Sequence, residues 1–141
     1  MQSDKTLPTQ INVALLLLRI ASAAAFLYHG SAILFRWFDG PGPIAFANFH
    51  HWPAIIGYLV GLAQFAGGLA VLFGVLTRLG AACIAIVMLG AIFTVHLPHG
   101  FNVGDGGVEY ALTQLLVAIA LLLTGPGSYS LSSWGRKLAK I

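Results

Sequence analysis

Long apolar runs alternate along the chain with short breaks made of glycine, proline and charge. Four runs approach the roughly 20 mostly apolar residues that a bilayer-spanning helix needs: residues 11–35, 54–76, 79–97 and 108–124. Gly40-Pro41-Gly42-Pro43 and Trp52-Pro53 bracket the first connection. Thr77-Arg78 makes a tight turn between the second and third runs, Pro98 ends the third, and Gly125-Pro126-Gly127 ends the fourth. The pattern predicts an all-α integral membrane four-helix bundle, formed as one domain over residues 1–141.

Within the runs, small residues recur at helical spacing. Gly57, Gly61, Gln64 and Gly68 share one narrow stripe, where small side chains let a neighbouring backbone approach closely. Arg19, Ala23, Phe26 and Gly30 form a matching row in the first run, and Cys83, Val87, Gly90 and Thr94 a third row. The first connection is itself apolar and aromatic, with Ile44, Phe46, Phe49 and Trp52. It is expected to lie in the outer membrane interface as an anchor, with a lid over a site below as the alternative.

Composition supports lipid as the main solvent. Of 141 residues, 58% are hydrophobic and 8% charged, and the mean hydropathy is +0.88; soluble domains carry about 25% charge. The net charge of +3 does not imply nucleic acid, because the cations sit between apolar runs, where topology signals belong. Lys5, Arg78, Arg136, Lys137 and Lys140 fall at the N-terminus, the second connection and the C-terminus, whereas the first and third connections carry only Arg36. The positive-inside rule then puts both termini in the cytoplasm of a multi-pass plasma (inner) membrane protein. Lys5, the run from Ile11 and Ala21-Ser22-Ala23 have the outline of a signal peptide. Arg19 interrupts that run and apolar residues resume at Phe26 and Leu27, so the segment is expected to stay as the first helix. The single cysteine, Cys83, excludes an intrachain disulfide and a CxxC motif, so redox chemistry would need a cofactor or a partner.

Ionisable groups inside a membrane are costly unless satisfied, which makes each one a functional candidate. Arg19 lies about 12 Å and Gln64 about 15 Å from the cytoplasmic ends of their runs, at about 1.5 Å per residue. They are expected to pair, guanidinium to amide carbonyl; the alternative is Arg19 snorkelling to headgroups. All five histidines fall toward the opposite face. His29 and His96 end the first and third runs, His99 and Asp105 sit in the third connection, Glu109 opens the fourth run, and His50 and His51 precede the second. His29, His96, Glu109 and His99 form the candidate polar site. Imidazole and carboxylate together can relay protons, hydrogen-bond a quinone carbonyl or ligate a metal. The spacing contains no HExxH or other fixed ligand pattern, so no metal site is assigned. The bland alternative is that the histidines are interfacial, Asp105 caps the fourth helix and Glu109 favours its dipole.

Leu15-Leu16-Leu17-Leu18-Arg19 followed by Phe26-Leu27-Tyr28-His29-Gly30 resembles the first helix of the DoxX family. The likeness continues through Gly67-Gly68-Leu69, Phe73-Gly74-Val75-Leu76-Thr77-Arg78 and Ala91-Ile92-Phe93-Thr94-Val95-His96. It ends with Gly107-Val108-Glu109-Tyr110 and Gly125-Pro126-Gly127-Ser128-Tyr129-Ser130-Leu131. The resemblance implies a four-helix membrane fold and a link to oxidoreductase complexes, including the small subunit of a thiosulfate:quinone oxidoreductase. By that analogy Arg19, His29, His96 and Glu109 match recurrent polar positions. Two departures stand out: Gln64 where the family usually has glutamate, and Ser132 where it commonly has aspartate.

The expected function is a membrane subunit of an oxidoreductase complex, contributing a quinone or proton-relay site at the outer face. The alternative is a non-catalytic structural or assembly subunit of a larger membrane complex. Lipids and other subunits are the expected partners, and whether the chain is itself an enzyme stays open. Haem ligation by His29 and His96 is a weaker possibility. Small-molecule or ion transport is a third, weaker reading, without a mid-membrane acidic pair or an internal repeat.

Overall fold

The computed structural model describes residues 8–139 and is all-helical across them. Lys5 and Lys140, two of the cations used for orientation, lie outside the described residues. Six α-helices follow in order: α1 Thr9–Phe35, α2 Pro43–Phe49, α3 Ala54–Phe73, α4 Thr77–Ala91, α5 Glu109–Thr124 and α6 Leu131–Leu138. Thr9–Phe35, Ala54–Phe73 and the helical stretch Thr77–His99 are each long and apolar enough to cross a membrane, and α5 is a shorter apolar helix of 16 residues. The chain is a multi-pass membrane helix bundle, with a fourth member too short to meet that length on its own.

α1 packs on α3, α3 on α4 and α4 on α5, and α5 closes back on α1. Apolar association contributes little between helices in lipid, so close backbone approach has to hold them. The glycine stripe of α3 provides it. A Cβ on Gly61 would lie 2.9 Å from Ile33 and Leu34 side-chain atoms, and one on Gly68 3.2 Å from Leu27; Gly30 of α1 faces the Phe65 backbone in the same way. Large aliphatic side chains such as Leu17, Leu62, Leu116 and Leu123 are exposed.

The turn between α3 and α4 comes earlier than Thr77-Arg78. Gly74 adopts φ +69° and its N–H bonds the Ala70 carbonyl, Leu76 also takes a left-handed conformation, and Thr77 already begins α4. Glycine closes α3 there because a Cβ would meet Ser130 and the Arg19 guanidinium.

α4 does not run regularly to Pro98. After Ala91 it widens into a π turn, Ile92–His96, followed by a 3-10 turn, Leu97–His99. α2 folds back on α3 instead of only lying in an interface: Ala47 is fully buried, and a Cβ on Gly57 would collide with the Pro43 carbonyl. α6 is amphipathic. Ser130 caps it by accepting from Ser133 N–H, Leu131, Trp134 and Leu138 are exposed, and Arg136 and Lys137 lie in its last turn.

Packing differs between the two ends of the bundle. The buried cluster of Leu15, Ala23, Val71, Ala81, Ile84 and Leu121 fills the end near Arg19. The end near His96 is hollow.

Candidate functional site

At the closed end Arg19 is 1% exposed and does not reach headgroups. Its Nε donates to the Val71 carbonyl at 2.7 Å and its Nη2 to Leu72 at 2.6 Å; Nη1 donates to Pro126 at 3.0 Å and Tyr129 at 2.6 Å. Val71 and Leu72 belong to the last turn of α3, whose carbonyls have no partner within the helix. The expected Arg19–Gln64 pair therefore does not form. The register set by Gly68 against Leu27 and Gly30 against Phe65 puts Gln64 level with the far half of α1, about two turns from the guanidinium. Asn12 and Arg78 complete this end: Asn12 accepts from Ser128 N–H at 2.7 Å, and Arg78 Nη2 donates to the Leu123 carbonyl at 3.3 Å. Ser132, the second family departure, donates to the Gly74 carbonyl at 2.6 Å.

At the other end, a cavity of about 650 Å³ lies between α1, α3, α4 and α5, with part of its wall from α2 and the corner after it. That volume lies within the usual range for small-molecule sites, about 300–1,000 Å³. The wall is overwhelmingly aliphatic and aromatic. His29 and His96 both line it, and so does Gln64. The row Cys83, Val87, Gly90 and Thr94 lines this cavity, although Val87 also packs on the core; a Cβ on Gly90 would meet nothing within 4 Å.

His96 is the last residue of the π turn Ile92–His96 and lines the cavity. Within that turn the Thr94 hydroxyl donates to the Gly90 carbonyl at 2.7 Å. His96 Nδ1 sits 2.7 Å from the Gly106 carbonyl. A carbonyl only accepts, so this nitrogen carries the proton.

Glu109 and His99 do not join His29 and His96. Glu109 is the first residue of α5, and its carboxylate accepts from Val103 N–H at 3.0 Å, tying down the preceding loop. His99 lies beyond Pro98 in the 3-10 turn, with Nδ1 on the Val95 carbonyl at 2.9 Å. Asp105 accepts from the Asn102 side chain at 2.9 Å and does not cap α5.

The aromatics of the first connection, read in the sequence as an anchor or alternatively a lid, include cavity-lining residues, and His50 joins them. His50 stacks on Trp52 with ring centres 4.7 Å apart, and Phe46 lies edge-on to His50 at 4.9 Å. All three line the cavity. The place of His50 in this wall was missed, its signal being the aromatic neighbours on either side. Burial holds the His50 imidazole below its ordinary pKa, and the neighbouring His51 lowers it further.

The family profile of DoxX matches residues 14–97. A Bacillus subtilis protein named "Putative oxidoreductase CatD" is 34% identical over 113 residues, 80% of each chain. The Escherichia coli "Inner membrane protein YqjF" is 38% identical over 79 residues, 56% of this chain and 61% of that protein. The Mycobacterium tuberculosis "Uncharacterized membrane protein Rv3486" is 39% identical over 92 residues, covering 58% of this chain and 55% of that one. No solved structure matches the chain.

Proposed function

The chain belongs to the DoxX family, and on that premise we propose that it is an inner-membrane subunit of an oxidoreductase complex, with a quinone or proton-relay site at the outer face. The observation that carries this proposal is the cavity itself: a partly open apolar space of about 650 Å³ lined by three histidines, His29, His50 and His96, and one buried amide, Gln64. The name "Putative oxidoreductase CatD" supports the redox assignment, and the name "Inner membrane protein YqjF" supports the location. Arg78 and the α6 cations lie at the Arg19 end, so that end takes the cytoplasm and the cavity the outer side.

A quinone fits what the residues offer. Its ring and tail match aliphatic and aromatic walls; its oxygens, as carbonyls or as the hydroxyls of the reduced form, match the amide donors of Gln64 and the imidazole acceptors in turn. Bound there, it would supply two-electron redox chemistry that the side chains lack. The chain's own part is to hold the ring, to exclude water through the α2 corner, and to present His96 and His29 for hydrogen bonding.

The test is electron transfer by the intact complex purified from native membranes. His96→Ala and His29→Ala are expected to reduce turnover by at least about tenfold, on the scale of a lost general acid or base, with assembly unchanged. Glu109→Gln is expected to retain activity, because a glutamine oxygen still accepts from the Val103 amide. Full turnover in both histidine variants would leave only the structural or assembly role.

A further inference from the structure

The cavity wall has a polarity of its own at the α4 end. Because Nδ1 of His96 is committed to the Gly106 carbonyl, the neutral ring has only a lone pair left at Nε2. Among the described residues, the hydrogen bond of His96 is made through Nδ1 and not through this nitrogen. Thr94, two residues earlier, likewise has its hydroxyl hydrogen committed to the Gly90 carbonyl, so its oxygen can only accept. Both side chains line the cavity, and both sit where the helix ends and its partial charge is negative. No lysine, arginine, aspartate or glutamate is among the lining residues. The chamber therefore suits an uncharged guest, and this end of it suits a hydrogen-bond donor.

We infer that His96 and Thr94 form an acceptor pair that selects an apolar ring compound by its hydroxyl group, so that the cavity prefers a hydroquinone to the corresponding quinone. A quinone carbonyl placed at the same point would face two lone pairs and find no hydrogen to accept. Thr94 and His96 both lie in the π turn, and the Gly106 carbonyl fixes which imidazole nitrogen of His96 is bare. His96 acts here as a specificity-determining residue, and the inference rests on the redox-site proposal above.

The experiment is anaerobic equilibrium binding of a decyl-substituted benzoquinol and the matching benzoquinone to the full-length protein in lipid nanodiscs. Empty nanodiscs give the baseline for partitioning. The quinol is expected to bind about tenfold more tightly, the scale of one net hydrogen bond. His96→Phe should bring the two affinities within about twofold by weakening the quinol alone. Thr94→Val, at an exposed side chain, should narrow the gap less. Equal binding, or tighter quinone binding, by the unaltered protein would overturn the acceptor pair while leaving a quinone site standing. Binding of neither compound above the baseline would overturn both.

Discussion

Arg19 and Leu72 meet at 2.6 Å, guanidinium to carbonyl, joining the middle of α1 to the last turn of α3. With Val71, Pro126 and Tyr129 completing the set, one side chain satisfies the end of one helix and the loop that follows another. Charge-assisted bonds of this kind are each worth about 1.5–3 kcal/mol net, but they share one desolvated cation. Arg19→Ala is expected to destabilise the protein by about 3–5 kcal/mol, the usual result of leaving a buried polar network half-paired. Arg19→Lys should lose most of that, since a point-like ammonium cannot span the four carbonyls that the planar fork reaches. Unfolding in mixed micelles, followed by circular dichroism, measures both, and a silent Arg19→Lys would overturn the capping role.

Gly30 and Gly90 should respond oppositely to enlargement. A Cβ on Gly30 would stand 2.8 Å from Phe65 Cα, a backbone atom that cannot step aside, so Gly30→Ala should separate α1 from α3 and cost about 1–3 kcal/mol, as overpacking does. Gly90 has open space. Gly90→Leu should leave the fold intact, fill part of the chamber and weaken quinol binding. The same unfolding assay, run beside the nanodisc titration, separates the two effects.

His50 gives a pH-dependent readout of the covering corner. Burial first, and the adjacent His51 second, hold its pKa below 6.5. The fold therefore favours the neutral ring: this contribution to stability is full above pH 6.5 and declines as pH falls below it. In a Trp37→Phe, Trp134→Phe background, Trp52 fluorescence reports protonation of the ring stacked on it. The quenching midpoint is expected below pH 6.5, and His51→Ala should move it upward. A midpoint at or above 6.5 would contradict the burial of this corner.

Orientation is open to direct measurement. Reporter domains fused after residue 78 and at the C-terminus are expected in the cytoplasm, and one inserted near Gly104 outside. A cytoplasmic signal at Gly104 would remove the four-span arrangement.

The bundle was legible in the sequence because glycine, proline and apolar length act locally. Helix ends at Phe35, Ala54 and Thr124 follow from composition alone. His29 and His96 both line the cavity, and in the sequence both end apolar runs at one face. Arg19 was misjudged for a physical reason. Its partners are backbone carbonyls, which leave no trace in side-chain identity, and counting from helix ends could not supply the register that Gly68 and Leu27 impose. The row ending in Thr94 was mistaken for a packing stripe because small residues look alike whether they face a helix or a void. The π turn escaped notice since Ile92-Phe93-Thr94-Val95 is ordinary helix-compatible sequence.

α5 is 16 residues long, about 24 Å at 1.5 Å per residue, while the hydrocarbon core of a bilayer is about 30 Å thick. On that flank the protein is shorter than its solvent. The mismatch has to be met by thinning of the lipid or by bringing irregular chain below the headgroups. The loop before α5 is built for the second course. Val108 N–H bonds the Gly100 carbonyl, Glu109 N–H that of Phe101 and Gly107 N–H that of Asn102, while the Glu109 carboxylate takes Val103 N–H. A segment whose backbone is so largely paired within itself can lie closer to the hydrocarbon boundary than an open loop could. It carries the Gly106 carbonyl that holds His96. Any thinning of the bilayer along this short flank would therefore fall beside the His96 ring and its bare nitrogen.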